Sequence, residues 1–165
     1  MTKEFAAYCA GFFDGEGCLS IKKVKQRQVR KNGNVKEYYS VSLCIDIAQN
    51  SLEVLETIQK EFGGTIHGNQ SKNPNSAMGY ILRMYKNSAR VFLEAVQPYS
   101  VVKRNHVKLG LDYVALKDSE DESLYILSSK KRKQRSPLLL EKELEFVAKS
   151  KELNRRGLAL ISKGN

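Results

Sequence analysis

The sequence has no tryptophan, and only three cysteines, three prolines and two histidines among 165 residues. Cys9, Cys18 and Cys44 are odd in number and form no CxxC pair. That argues against a disulfide framework and a zinc site, and for buried thiols in a reducing, intracellular compartment. His67 and His106 have no metal-ligand spacing; His67 is a candidate for a ligand-facing strand and His106 reads as ordinary helix surface. No apolar run approaches the ~20 residues of a membrane span. The longest, Phe5 to Phe13, stops at Asp14, and Glu4 sits where a secretory leader wants basic and apolar residues. Negative charge is also short: 28 Lys+Arg face 18 Asp+Glu, a net charge of +10. An excess of that size points to a polyanionic partner, nucleic acid first. With 41% hydrophobic residues, the chain reads as one globular domain over 1–165, its core about 1–117 and a C-terminal helical part about 118–165.

Periodicity orders the elements. A helix runs from an N-cap at Thr2 to about Gly15; it is apolar all round, so one face must pack on its own core and another on a partner. Leu19 and Ile21 alternate with Ser20 and Lys22 in a strand over Cys18–Gln28, and the adjacent Lys22 and Lys23 suggest a bulge or a strong twist. Lys31-Asn32-Gly33-Asn34 is a hairpin turn. Val41, Leu43, Ile45 and Ile47 then alternate strictly with Ser40, Ser42, Cys44 and Asp46. A helix through Leu52, Leu55, Ile58 and Phe62 starts at Asn50 or Ser51 and ends at Gly63-Gly64. Strands over Thr65–Gln70 and Tyr80–Tyr85 flank a loop at Lys72–Asn75, and a third helix opens at Asn87 or Ser88 and stops before Pro98. The order α-β-β-α-β-β-α makes an α+β fold: a four-stranded antiparallel sheet with helices on one face and a polar, basic face left open. Helices follow over Arg104–Lys117, from a capping box at Ser119–Glu122 to the basic run Lys130–Lys133, and from Ser136-Pro137 onward.

The stretch Cys9-Ala10-Gly11-Phe12-Phe13-Asp14-Gly15-Glu16-Gly17 carries the chemistry. Ala7, Gly11 and Gly15 form a small-residue stripe that lets a second helix approach closely. Asp14 and Glu16 put carboxylates at the negative end of a helix dipole, where a cation must compensate them, and oxygen-only ligands suit Mg²⁺. The spacing does not fit an EF-hand, since Cys18 stands at the fifth loop position and no acid at the twelfth.

Cys9 to Gly17 resembles the LAGLIDADG motif of the homing endonucleases, position by position, and the element order over Thr2–Pro98 is similar to that of the family's single-motif subclass. The resemblance implies an intron-encoded homodimer that hydrolyses one phosphodiester per strand of a long, near-palindromic double-stranded DNA site, leaving 3′ overhangs. It implies about two or three Mg²⁺ per dimer. Glu16 matches the metal-ligating acid and Gly15 the neighbour whose carbonyl assists, whereas Asp14 ties down the helix end. Aspartate is common where Glu16 stands, which bears on metal placement. Gln49 aligns with a polar residue near the attacking water and Lys103 with a lysine that stabilises the transition state, the alternative for Lys103 being a solvated helix-start lysine. Glu53 replaces a basic residue often found there. The dimer contact implied is Ala7, Tyr8, Gly11, Phe12 and Gly15.

A two-stranded ribbon fits the major groove, so the open sheet face is the reading surface. Alternation nominates Ser20, Lys22, Gln26 and Gln28 on the first strand and Ser40, Ser42 and Asp46 on the second. Thr65, His67, Asn69 and Gln70 follow on the third, and Arg83 and Tyr85 on the fourth. Asp46 is suited to accept from cytosine N4, Lys and Arg to contact guanine. Lys25, Arg27, Arg30 and Lys31 are assigned to phosphates. The basic run Lys130–Arg135 reads equally as a contact to flanking DNA and as a solvated helix end. Two other functions fit the same scaffold: an RNA maturase binding its host intron, and a non-catalytic DNA-binding regulator. The expected setting is intracellular, the cytoplasm or organelle matrix of the intron's host, without a membrane partner.

Overall fold

A computed structural model describes residues 1–29, 33–69, 79–127 and 133–159. The expectations for Arg30, Lys31, Asn32, Gln70, Lys72–Asn75 and Lys130–Arg132 lie outside these. The α1 helix, Lys3–Glu16, starts where the Thr2 hydroxyl accepts the Phe5 N–H at 3.2 Å. The β1 strand (Gly17–Val29) pairs with β2 (Val35–Gln49) without a break, from Gly17 opposite Ile47 to Val29 opposite Val35. The bulge expected at Lys22-Lys23 is therefore absent. Alternation stops there because the ribbon runs past the core: every side chain from Lys22 to Val29 is exposed, so neither face selects for apolar residues.

The α2 helix (Leu52–Phe62) ends at Gly63 and Gly64, whose φ values of +78° and +103° favour glycine. Ser51 is its N-cap by position, without a capping side-chain bond. Strands β3 (Thr65–Asn69) and β4 (Gly79–Tyr85) complete an antiparallel sheet of order β1-β2-β4-β3. Helix α3 (Lys86–Val96) packs on the same face as α1 and α2. The core between sheet and helices is Phe13, Leu19, Ile21, Ile45, Ile47, Leu55, Ile58, Leu82, Met84, Phe92 and Leu93, all essentially inaccessible. The Phe92 ring meets Phe13 and Phe62 edge-on, with centroids 5.5 and 5.1 Å away.

Helix α4, Arg104–Asp118, lies where the spacing predicts it. The helix expected after Ser119 does not form. Asp121 caps a 3-10 turn over Glu122–Leu124, and the chain then makes a hairpin of β5 (Tyr125–Leu127) and β6 (Lys133–Arg135). Tyr125 and Ile126 suit a strand better than a helix, and the acidic turn is used up in a local cap. Helix α5 (Pro137–Ala159) begins with Ser136 accepting the Leu139 N–H and Pro137 in first position. Among the described residues no helix is long and apolar enough to cross a membrane.

Helix α5 also covers an edge. Odd-numbered residues of β1 direct their peptide groups away from β2, into a side with no neighbouring strand. There the buried Ser150 hydroxyl accepts the Ile21 N–H at 3.0 Å, and the Asn154 amide donates to the Leu19 carbonyl at 3.1 Å. Two side chains one helical turn apart thus stand in for a missing strand. Replacing Ser150 orphans a buried N–H, so Ser150→Ala should lower stability by about 1–3 kcal/mol in urea titration. An unchanged midpoint would mean that water satisfies Ile21.

Candidate active site and nucleic-acid interface

The end of α1 is fixed by an exchange of hydrogen bonds with the loop before α4. The Asp14 carboxylate accepts from the Ser100 hydroxyl at 2.6 Å and from the backbone N–H groups of Val101, Val102 and Lys103 at 2.7, 3.0 and 2.9 Å. In return the Lys103 ammonium donates to the Phe13 carbonyl at 3.0 Å and to the Asp14 carbonyl. Partial burial raises the Asp14 pKa, but Ser100 and the three N–H groups outweigh it and hold the carboxyl below its ordinary value. Gly17 turns the chain from helix into strand against the Phe13 ring: a Cβ there would lie 2.0 Å from Phe13 Cδ2, so only glycine fits. Glu16, the last residue of α1, is exposed. Gln49 lies at the same end of the β1–β2 ribbon, two residues beyond the Gly17–Ile47 pair, half-buried, its Oε1 accepting the Asn50 N–H at 2.7 Å.

The outer surface of α1 is bare. Ala7, Gly11 and Gly15 are exposed, Tyr8 is 48% exposed and Phe12 half-buried. A Cβ built at Gly11 or Gly15 meets nothing within 4 Å, so the protomer itself has no need of glycine at either position.

The open sheet face carries the even-numbered residues of β1 and β2 and the odd-numbered ones of β3 and β4, as the cross-strand register dictates. Lys22, Gln26, Gln28, Thr65, His67 and Tyr85 are exposed on it, with Ser40 and Ser42 half-buried; Gln26 donates to Ser40 at 3.3 Å. The Asn69 backbone is on this face. Arg83 donates through Nε and Nη2 to the two oxygens of Asp46, its cross-strand partner, at 2.7 and 2.9 Å. The Cys44 thiol donates to the same carboxylate at 3.3 Å. Burial raises the Asp46 pKa, but Arg83 and then Cys44 outweigh it and lower the pKa.

A model of the LAGLIDADG endonuclease family matches residues 9–119, more than half of the chain. The chain belongs to the LAGLIDADG endonuclease family. No curated protein sequence matches it. Among solved structures, the homing endonuclease I-CvuI in complex with the I-CreI target aligns over 92% of this chain and 83% of its own, with 23% identity and a TM-score of 0.62. The archaeal intron-encoded I-Vdi141I, complexed with DNA, aligns over 92% and 85% at 17% identity and a TM-score of 0.58. I-GzeII in complex with its DNA target aligns over 87% of this chain but 43% of its own, at 16% identity and a TM-score of 0.57. These likenesses concern the fold.

Against that fold, the LAGLIDADG helix is α1, and Asp14 ties down its end as the motif resemblance implies. Lys103 is no solvated helix-start lysine: it is half-buried and directed at the α1 terminus. Two of its three donors are used there, and its charge offsets the negative end of the helix. Glu16 and the Gly15 carbonyl are hard oxygen donors at that end. Among the described residues no group of three His, Cys, Asp or Glu side chains could hold a metal. One carboxylate per protomer suits Mg²⁺, which keeps several waters and takes few protein ligands, so the residues fit that ion.

Two expectations need correction, Ser20 as a base contact and Cys18 as a buried thiol. Ser20 is 6% exposed, a short side chain among longer neighbours, and offers a ligand almost no surface. Asp46 has both oxygens bonded to Arg83, so a base could reach only the acceptor capacity that Arg83 and Cys44 leave over. Lys25 and Arg27, expected at phosphates and not on the reading face, point to the helix side, where Lys25 pairs with Glu37 at 2.8 Å. Cys18 is exposed, whereas Cys9 and Cys44 are buried, with burial first among the causes that push each thiol to about 11. Val24 and Tyr38, which the sequence reading did not nominate, are also exposed on the open sheet face, at 37% and 44%. Strict alternation from Lys22 and Ser40 places both on this face.

Asp14→Ala removes four bonds to one carboxylate and should cost about 2–4 kcal/mol in thermal or denaturant unfolding. Because the folded pKa is depressed, the Asp14 contribution is fully present above the unfolded value of ~3.9 and is lost as pH falls through the lower folded value. The stability gap between wild type and Asp14→Ala should therefore be constant from pH 7 to 5 and close below about pH 4. A gap that closed near pH 6 would assign it to another group.

Proposed function

We propose that this LAGLIDADG endonuclease is an intron-encoded homing enzyme that acts as a homodimer, making a Mg²⁺-dependent double-strand break in a long, near-palindromic DNA site with 3′ overhangs. Family membership gives the reaction class, site-specific DNA cleavage. The observation that carries the rest is the α1 helix: an exposed carboxylate ends it, and its glycines at 11 and 15 serve no contact within the protomer. In the dimer those glycines let two α1 helices touch, with Tyr8 and Phe12 at the margins, which brings both Glu16 residues near the two-fold axis. This chain covers 43% of I-GzeII, less than half of that chain, which favours two copies per DNA site. I-CvuI is described with DNA in 2 mM Mg and in 2 mM Ca, in keeping with a divalent cation.

Length supports the long site. Thirteen residues of β1 at ~3.3 Å each reach about 40 Å, roughly a dozen base pairs at ~3.4 Å per pair. Glu16 lies at one end of that ribbon and the reading residues extend away from it, so each protomer cuts near the centre and reads outward.

Glu16 and the Gly15 carbonyl hold the cation. When bound, Mg²⁺ supplies Lewis-acid polarisation of a phosphoryl oxygen and an acidified water. Gln49 orients the attacking water, and Lys103 offsets the charge that builds on the phosphate while keeping the α1 end in place. The intact carboxylate at Glu16 favours cleavage over a regulator that only binds.

The test is linearisation of a plasmid library carrying near-palindromic inserts, with and without Mg²⁺. Wild type should cut only with Mg²⁺, and Glu16→Gln should be slower by about a hundredfold or more. No cutting by either chain, with DNA or intron RNA still bound tightly, would overturn the enzyme in favour of a regulator or a maturase. Gly11→Leu should force the α1 helices apart and give monomers in sedimentation; an intact dimer would move the interface elsewhere.

A further inference from the structure

The ribbon leaves the core at Ile21 and Val41, and its other edge is as exposed in principle as the one that α5 covers. β2 pairs with β4 only from Cys44 onward, so the odd-numbered peptide groups of β2 before that point face no strand among the described residues. Two side chains from the C-terminal part meet them. The Tyr113 hydroxyl on α4 donates to the Val41 carbonyl at 2.9 Å, and Arg135 on β6 donates through Nη2 to the Tyr39 carbonyl at 2.6 Å. Arg135 is itself held from behind: its Nη1 donates at 2.6 Å to Glu143 on α5, which is inaccessible and takes a second cation, Lys117 of α4, at 2.7 Å.

A carboxylate is not buried without compensation. Here two cations from two different elements supply it, and one of them passes the constraint on to β2. Arg135 is suited to this because its planar fork carries donors on separate nitrogens, Nη1 to the carboxylate and Nη2 to the carbonyl, whereas a lysine has all its donors on one nitrogen. Arg135 is also the outermost of these edge contacts, since Tyr39 lies opposite Lys25, beyond the Ile21–Leu43 and Lys23–Val41 pairs. Past that point the described side chains of the ribbon are exposed, so among the described residues no apolar packing fixes its direction.

We propose that Arg135, anchored by Glu143, is a positioning residue for DNA reading: it sets the pose of the ribbon's outer half and thereby the discrimination of base pairs far from the cleavage point. This rests on the reading of the open face as the DNA surface. It also separates the basic run into parts, since Arg135 is committed to the protein itself and not to a DNA backbone.

Arg135→Lys keeps the charge and loses the fork. Should that variant not fold, Arg135→Met with Glu143→Leu removes the bond to Tyr39 without leaving a buried unpaired charge. Hydrogen–deuterium exchange of the free protein is read first. The expected result is exchange faster by about tenfold across 22–29 and 35–41, one lost charge-assisted bond, with 43–49 and 79–85 unchanged. Unchanged exchange in the ribbon, or acceleration throughout the sheet, overturns the proposal whether or not the protein cuts DNA. On the duplex that wild type cuts, with each base pair replaced in turn, the variant should lose discrimination by about tenfold at the outermost pairs while keeping the rate on the unsubstituted site and the discrimination at inner pairs. Uniform loss at all positions would make Arg135 a stability residue only. A wild type that cuts no duplex would sink the enzyme reading and leave the exchange result to stand by itself.

Discussion

A helix C-terminus with an aspartate and a glutamate in its last turn is electrostatically unfavourable, because carbonyl dipoles and carboxylates crowd the same space. In this protein the Asp14 carboxylate and the Ser100–Lys103 loop resolve that conflict. Four donors meet one carboxylate, and the Lys103 ammonium returns to the carbonyls of Phe13 and Asp14. The exchange joins α1 to the start of α4 across some ninety residues of sequence. It also leaves Glu16, two residues beyond Asp14, as the acid that takes no part in these bonds.

The rest of the architecture follows from that fixed end. Gly17 must pass against the Phe13 ring, so β1 departs in one direction, and its thirteen residues carry the reading face away from Glu16. Such a ribbon is long relative to the core that supports it. Its edges therefore need side chains from outside the sheet: Ser150 and Asn154 on the β1 side, Tyr113 and Arg135 on the β2 side. The C-terminal third of the chain is a bracket for the ribbon more than a separate unit. The end of α1 and the outer ribbon, the proposed places of chemistry and of recognition, are held by different sets of bonds.

Much of this was legible in the residues. The αββαββα order, the antiparallel sheet and the role of Asp14 follow from periodicity, capping residues and the LAGLIDADG resemblance. What escaped has physical causes. The bulge expected at Lys22-Lys23 came from reading two exposed lysines as broken alternation, when the strand had simply outrun its core. The hairpin at Tyr125–Arg135 was hidden by an acidic capping signal that serves a single 3-10 turn. Asp46 looked like a free acceptor because its pairing with Arg83 is set by register across strands 37 residues apart in sequence. Glu143 could not be nominated at all, since nothing local marks a glutamate as buried between two distant cations.

The central claim is that two copies of Glu16 act at one DNA site, each on its own strand. It is tested most directly with mixed dimers of one wild-type chain and one Glu16→Gln chain, purified through two different tags and given a plasmid bearing the wild-type target. The account predicts nicked circles as the product, with linear DNA formed only by the wild-type dimer. Linear DNA from the mixed dimer at the wild-type rate would contradict it, because one Glu16 would then suffice for both strands.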